Sequence, residues 1–130
     1  MITADDIADL ARKLVGETAN EVRIRCGVSR AYYAAFHYCE IAANSFCSQL
    51  SEADKEDRGN HAQLYHRLEN LSKDKATEGN LKLMAAEAKK LRTLRVQSDY
   101  HLNETVNQRD FGRSIHHMSQ VKSYLESLST

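Results

Sequence analysis

Ala31-Tyr32-Tyr33-Ala34-Ala35-Phe36-His37-Tyr38-Cys39-Glu40-Ile41-Ala42-Ala43-Asn44-Ser45-Phe46 decides the fold of this chain. The stretch contains neither glycine nor proline, and turned at about 100° per residue it is apolar on nearly every side, the pattern of a helix wrapped by neighbours. With its polar flanks it predicts one long helix over residues 20–48, the spine of a helical core.

The remaining sequence supports the same class. Proline is absent, glycine occurs five times in 130 residues, and apolar residues keep a helical spacing throughout, so no segment alternates long enough to form a strand. A first helix is expected behind Thr3 as N-cap, with Asp5 and Asp6 at its positive end, Ile7, Leu10, Ala11 and Leu14 facing inward, and Gly16 as its stop. Residues 51–59 read as a solvated connector. Asn60 is then expected to cap a short helix carrying Leu64, Leu68 and Leu71, followed by a polar joint over 72–79. A fourth helix is predicted over 80–102 and a last over 107–128, with Phe111, Ile115, Met118, Val121 and Leu125 inward. Short connectors favour antiparallel neighbours, so the expected architecture is an all-α, up-down antiparallel bundle of four principal helices plus one short helix, forming a single domain over 1–130.

Composition restricts the function classes. An apolar content of 42% suits a globular core, while 28% charged residues and no long apolar run argue against a membrane protein. The acidic start Met1-Ile2-Thr3-Ala4-Asp5-Asp6 lacks the basic and hydrophobic segments of a leader, so a cytoplasmic location is the expectation. Eighteen basic residues balance eighteen acidic ones, so any attraction for nucleic acid must be local. Cys26, Cys39 and Cys47 are expected to be reduced core thiols. No Glu-x-x-His occurs, His61 and His66 do not share a helical face, and His116 and His117 diverge, so no metal or other cofactor is expected and these four histidines read as surface or packing residues.

One segment departs from simple packing. In Leu94-Arg95-Val96-Gln97-Ser98-Asp99-Tyr100-His101-Leu102, Arg95 falls in the stripe of Met84, Ala88, Leu91, Ser98 and Leu102, where an unpaired buried charge costs several kcal/mol. It must therefore meet a carboxylate, an anion, a second subunit or a wet groove. A plain i,i+4 pair with Asp99 is one answer, worth a few tenths of a kcal/mol. Likewise, His101 at a helix C-terminus is favourably placed without any chemistry. The sharper reading joins a fixed guanidinium, which forks onto phosphate oxygens, to an imidazole that titrates near neutrality, a pair suited to phosphodiester cleavage without a metal. On an ideal helix the two lie about 9 Å apart along the axis and about 120° apart around it. Either the helix unwinds near His101, or two copies meet and pool these groups in a homodimer. Lys89, Lys90 and Arg92 lie just upstream, either as RNA-backbone contacts or as a solvated face complementing the helix dipole.

Two segments together, Ser29-Arg30-Ala31-Tyr32-Tyr33-Ala34-Ala35-Phe36-His37 and Arg95-Val96-Gln97-Ser98-Asp99-Tyr100-His101, resemble the HEPN domain, a helical bundle of prokaryotic toxin-antitoxin and defence systems. Catalytic members carry Arg, four to six residues, then His; this chain has five between Arg95 and His101, and the resemblance spans about residues 5–126. It implies a metal-independent endoribonuclease toxin acting as a homodimer, leaving a 2′,3′-cyclic phosphate and a 5′-hydroxyl. By that resemblance Arg95 holds the scissile phosphate, His101 is general base or acid, and Asp99 orients a motif side chain. Tyr100 stacks on a base or accepts a nucleotide from an antitoxin of the nucleotidyltransferase type, although the Arg-x4-Ala-x-Tyr form of such a tyrosine is missing. Arg30, Tyr33 and His37 either form a polar network in the core or open onto the cleft of Arg95. The alternative is a non-catalytic HEPN module that binds a nucleotide or a nucleotidyltransferase partner.

Overall fold

The computed structural model describes residues 1–128, which form six helices: α1 (Ala4–Leu14), α2 (Glu21–Phe46), α3 (Glu52–Glu56), α4 (Asn60–Asn70), α5 (Lys75–Tyr100) and α6 (Gln108–Leu128). Local capping chemistry sets most of the ends. The Thr3 hydroxyl accepts from the Asp6 amide while the Asp6 carboxylate accepts from the Thr3 amide, closing a capping box on α1. Asn20 caps α2, and Asn107 and Asp110 exchange the same pair of bonds at the start of α6.

Three boundaries differ from expectation, each for a short-range reason. The connector over 51–59 contains α3, because the Ser51 hydroxyl accepts from the Asp54 amide and starts a single turn. Asn60 is the first residue of α4 rather than its cap; Gly59 holds the cap position without a side-chain bond. Helix α5 begins at Lys75, inside the polar joint, since the Asp74 carboxylate accepts from the Ala76 amide, and the helix then runs through Gly79 and stops at Tyr100. Leu102 therefore lies past the end of the helix and is 77% exposed, not part of the buried stripe.

Long-range contacts give the chain direction. Arg23, near the start of α2, donates to the Leu14 carbonyl at the end of α1, and Tyr38, far along α2, donates to Asp5 at the start of α1, so these helices are antiparallel. At the other end, Ser48 donates to the Leu71 carbonyl and Lys73 to the Phe46 carbonyl, around a lone antiparallel bridge between Cys47 and Ser72. That junction turns α5 back along α2. Helix α6 returns beside α2, which brings Phe111 close to Gly27 and Lys122 to Asp5.

Alanines set the closeness of the packing. Ala4, Ala8 and Ala11 of α1 bury against a spine in which Ala31, Ala34, Ala35, Ala42 and Ala43 are also buried, while Leu10, expected on the inner face, is exposed. Small side chains let the two backbones approach, so the alanine stripe faces inward and Leu10 is turned out. Around the spine, Tyr32, Leu68, Leu81, Met84, Leu91 and Met118 are completely enclosed, each worth about 1.5–3 kcal/mol of burial. A second, smaller cluster of Ile24, Val28, Leu94 and Val106 lies under the α5–α6 turn. Gly27 makes this end fit: a Cβ there would stand 2.6 Å from Val15 Cγ2 and 2.8 Å from Phe111 Cε1. All three cysteines are free; Cys39 and Cys47 are buried as expected, whereas Cys26 is exposed. No described helix is long and apolar enough to cross a membrane.

Candidate functional site

Arg95 is held by aromatic and acidic neighbours. Its side chain is 11% exposed, and Nη2 donates to the Tyr33 hydroxyl at 3.1 Å. The guanidinium carbon lies 5.7, 5.5 and 5.4 Å from the ring centroids of Tyr32, Tyr33 and Tyr100, distances at which a ring face attracts a cation. Nε is 2.8 Å from Asp99 Oδ2, but its N–H is not aligned on that oxygen, so the contact is an ion pair and Nε stays buried without a hydrogen-bond acceptor. Burial works against the charged form, yet Tyr33 and Asp99 outweigh it and hold the guanidinium's pKa above its ordinary value. Asp99 in turn accepts from the Ser29 hydroxyl at 3.2 Å, tying the pair to α2.

Of these partners Tyr33, Asp99 and Ser29 line a cavity of about 460 Å³ between α2 and the end of α5, with Arg30, Ser98, Cys26, Val22 and Leu102 around it; Arg95 itself is not part of that lining. Arg30 lies 5.0 Å from the Tyr33 ring centroid, so Arg30 and Tyr33 do share a cavity with Asp99. His37 does not. It bonds Glu40 at 2.7 Å and lines a different cavity beside Ile2 and Ile7 of the N-terminal segment. Ser98 Oγ is buried with no hydrogen-bond partner among the described residues. Val22 and Tyr100 are 70% and 66% exposed, so with Leu102 this end of the bundle presents an apolar rim.

His101 stands on another face. It is the C-cap of α5, with φ −101° and ψ 72°, so the helix has ended at this residue. Its side chain is 52% exposed, and Nδ1 lies 3.0 Å from Glu104 Oε2. Together with Lys89, Arg92, Arg58 and His66 it lines a groove of about 840 Å³ between α4 and α5, whose lining does not include Arg95. Within one chain Arg95 and His101 therefore do not open onto a common cavity. Lys90 leaves the groove as well, pairing at 3.5 Å with Glu87, which bonds His117 of α6 at 2.6 Å.

Arg25 shapes this region without having stood out in the sequence. Buried on α2, it pairs with Glu21 at 2.9 Å. Its Nη1 donates to the carbonyls of Gln97, Ser98 and His101 at 3.2, 2.9 and 3.2 Å, and Nη2 donates to that of Glu104. One guanidinium thus gathers the carbonyls of Ser98 and Glu104 and adds to those of Gln97 and His101, which also accept the His101 and Glu104 amides, and so fixes the turn that carries His101. The visible signal, a charge on the face of Ile24 and Val28, was masked by the ordinary i,i+4 partner Glu21.

Behind the groove runs a buried polar chain. The Tyr32 hydroxyl is 2.5 Å from His61 Nδ1 and 2.6 Å from the Tyr65 hydroxyl, and Phe36 packs on the imidazole at 4.9 Å between centroids. Burial raises the pKa of both phenols, and burial together with Arg92 and Arg95 lowers that of His61. The Tyr32 hydroxyl thus joins His61 Nδ1 and the Tyr65 hydroxyl in one hydrogen-bonded chain.

Compared with known protein families, curated proteins and solved structures, the chain matches none. Among the described residues, no three His, Cys, Asp or Glu side chains cluster as a metal site would require.

Proposed function

We propose that the chain is a HEPN-type, metal-independent endoribonuclease of a toxin-antitoxin or defence system, active in the cytoplasm as a homodimer. In this reading two copies join through the rim of Val22, Tyr100 and Leu102, so that Arg95 and His101 groups of both protomers border one RNA phosphodiester. A His101 imidazole takes the proton of a ribose 2′-hydroxyl; the 2′-oxygen attacks phosphorus, the bond to the 5′-oxygen breaks, and a protonated His101 supplies the proton to that leaving oxygen. The products are a 2′,3′-cyclic phosphate and a 5′-hydroxyl. Arg95 compensates charge building on the non-bridging oxygens. Asp99 and Tyr33 keep its fork oriented, and Tyr100 stacks beside the strand. An antitoxin, of the nucleotidyltransferase or another type, restrains the activity.

The observation that carries this reading is the arrangement around Arg95: a nearly buried guanidinium with an unaligned Nε is held by Tyr33 and Asp99, and these two, with Arg30 and the unpartnered Ser98 hydroxyl, line one cavity bordered by the exposed apolar Val22 and Leu102. Anions are the natural partners of such a set. The test is incubation of the purified protein with single-stranded RNA in excess EDTA. Cleavage to 2′,3′-cyclic phosphate ends is expected, falling about 10²–10⁴-fold in His101→Ala and about 10²–10³-fold in Arg95→Ala, with both variants still dimeric. Undiminished cleavage in either variant, or none by the unaltered protein, would overturn the reading.

A second reading is favoured by the Arg95–Asp99 pair. With an acid, a phenol and three rings around it, Arg95 has the partners of a structural residue. The chain would then be a non-catalytic module binding a nucleotide or a nucleotidyltransferase partner. Nucleotide or partner binding by a protein that leaves RNA intact distinguishes it.

A further inference from the structure

The α4–α5 groove has an electrostatic composition that the Arg95 site does not use. Three permanent cations line it, Arg58, Lys89 and Arg92, against two carboxylates, Glu69 and Glu104, with His66 and His101 as titratable neighbours. The pairings are unequal. Lys89 is 2.7 Å from Glu69, and His101 is 3.0 Å from Glu104, so both acids are engaged. Arg58 donates to the Asp54 carbonyl at 2.6 Å and stands 3.9 Å from its carboxylate. Arg92 is exposed and has no hydrogen bond or ion pair among the described residues. With Asp54 beside Arg58, three cations meet three carboxylates here, and the unmatched positive charge is concentrated at Arg92, the lining cation that among the described residues has neither an acid nor a carbonyl partner. The lowered pKa of His61, to which Arg92 contributes, is felt behind the same wall.

Shape narrows the ligand. Lys89, Arg92 and Val96 occupy successive turns of α5, and the distance from Lys89 to the helix end at His101 is about 18 Å along the axis. That is far longer than one phosphate requires. Val96 and Ala62 supply apolar surface between the charges. Such a trough, cationic at intervals and apolar between, fits a flexible polyanion whose uncharged parts also touch the wall.

We propose that the groove between α4 and α5 is a docking track for single-stranded RNA, with Arg92 and Arg58 contacting successive phosphates and His101 at its end. The ligand's identity rests on the ribonuclease reading; the anion-binding role of the groove does not. Of the upstream cations, Arg92 and Lys89 belong to this track and Lys90 does not.

The experiment is fluorescence anisotropy with a labelled 2′-O-methyl oligonucleotide, which lacks the attacking hydroxyl, titrated at several salt concentrations. Arg92→Gln and Arg58→Gln are each expected to weaken binding about tenfold, about 1.4 kcal/mol, and to reduce the slope of log K against log salt by about 0.7. Lys90→Gln should change neither. Unchanged affinity and slope in the Arg92→Gln, Arg58→Gln double variant, with its thermal melt intact, would overturn the proposal. So would complete displacement of the oligonucleotide by an equal concentration of adenosine monophosphate, the mark of a mononucleotide pocket. Binding that depends on Arg92 without RNA cleavage supports the track and removes the nuclease reading. Cleavage unaffected in the double variant at low RNA concentration does the reverse.

Discussion

The guanidinium of Arg25 donates to the backbone carbonyl of His101 across 3.2 Å, joining residues far apart in sequence at the point where α5 ends. Since the same group also serves the carbonyls of Gln97, Ser98 and Glu104, the conformation of the His101 turn depends on a side chain from another helix. Carbonyls in the last turn of a helix lack intrahelical partners, and here a buried charge-assisted fork reaches them although Tyr100, His101 and Leu102 themselves are exposed.

Arg25→Ala should lower the unfolding free energy by about 3 kcal/mol, because several carbonyls lose a charged donor and Glu21 loses its partner. Arg25→Lys should recover only part of this, as an ammonium cannot reproduce the planar fork. Urea denaturation of both variants measures it, and a loss no larger than that of an exposed i,i+4 pair would show the cap to be dispensable.

Two helical glycines should respond with opposite signs. Gly27→Ala is expected to cost about 1–3 kcal/mol, since the new methyl meets Val15 and Phe111. At Gly79, within α5, no neighbour lies within 4 Å of the added Cβ, so alanine there should stabilise by about 0.5–1 kcal/mol. Thermal melts of the two variants should shift in opposite directions.

Acid should weaken the fold through His61. Its pKa in the folded chain is lowered below the ordinary value of about 6.5 by burial, Arg92 and Arg95. The unfolded chain therefore takes up the proton first. The contribution is fully present above about pH 6.5 and is lost as pH falls through the folded-state value. His61→Gln can still hydrogen-bond Tyr32 but cannot titrate, so its urea midpoint should vary less between pH 7 and pH 5 than that of the unaltered chain. Identical pH profiles would assign the effect to other groups.

Self-association can be probed at the apolar rim. Introducing charge by Leu102→Asp or Val22→Asp should leave the helical content unchanged, because both side chains lie outside the core. Light scattering is expected to show a dimer for the unaltered chain and a monomer for the variants, with RNA cleavage lost in parallel. A monomeric parent that still cleaves RNA would remove the shared-site arrangement.

The helical class, the long central helix and the Thr3 cap were legible from residue order because they depend on neighbours three or four positions away, as Thr3 with Asp6 and the recurring buried positions between Ala31 and Ala43. The Ser51 and Asp74 caps did not stand out in that order, and the outward side of α2 at Ile41, Asn44 and Ser45 is exposed. The same local logic foretold the Arg95–Asp99 pair as one of the alternatives. Only the tertiary structure decided that Arg25 closes α5, that Arg95 rests on Tyr33, that Arg92 joins Arg58 and His101 in one groove, and that His37 faces elsewhere. Periodicity says which side of a helix is apolar, but not which helix will lie against it. Those pairings follow from how the alanine faces of α1 and α2 and the space around Gly27 let the helices approach, a property of the assembled bundle.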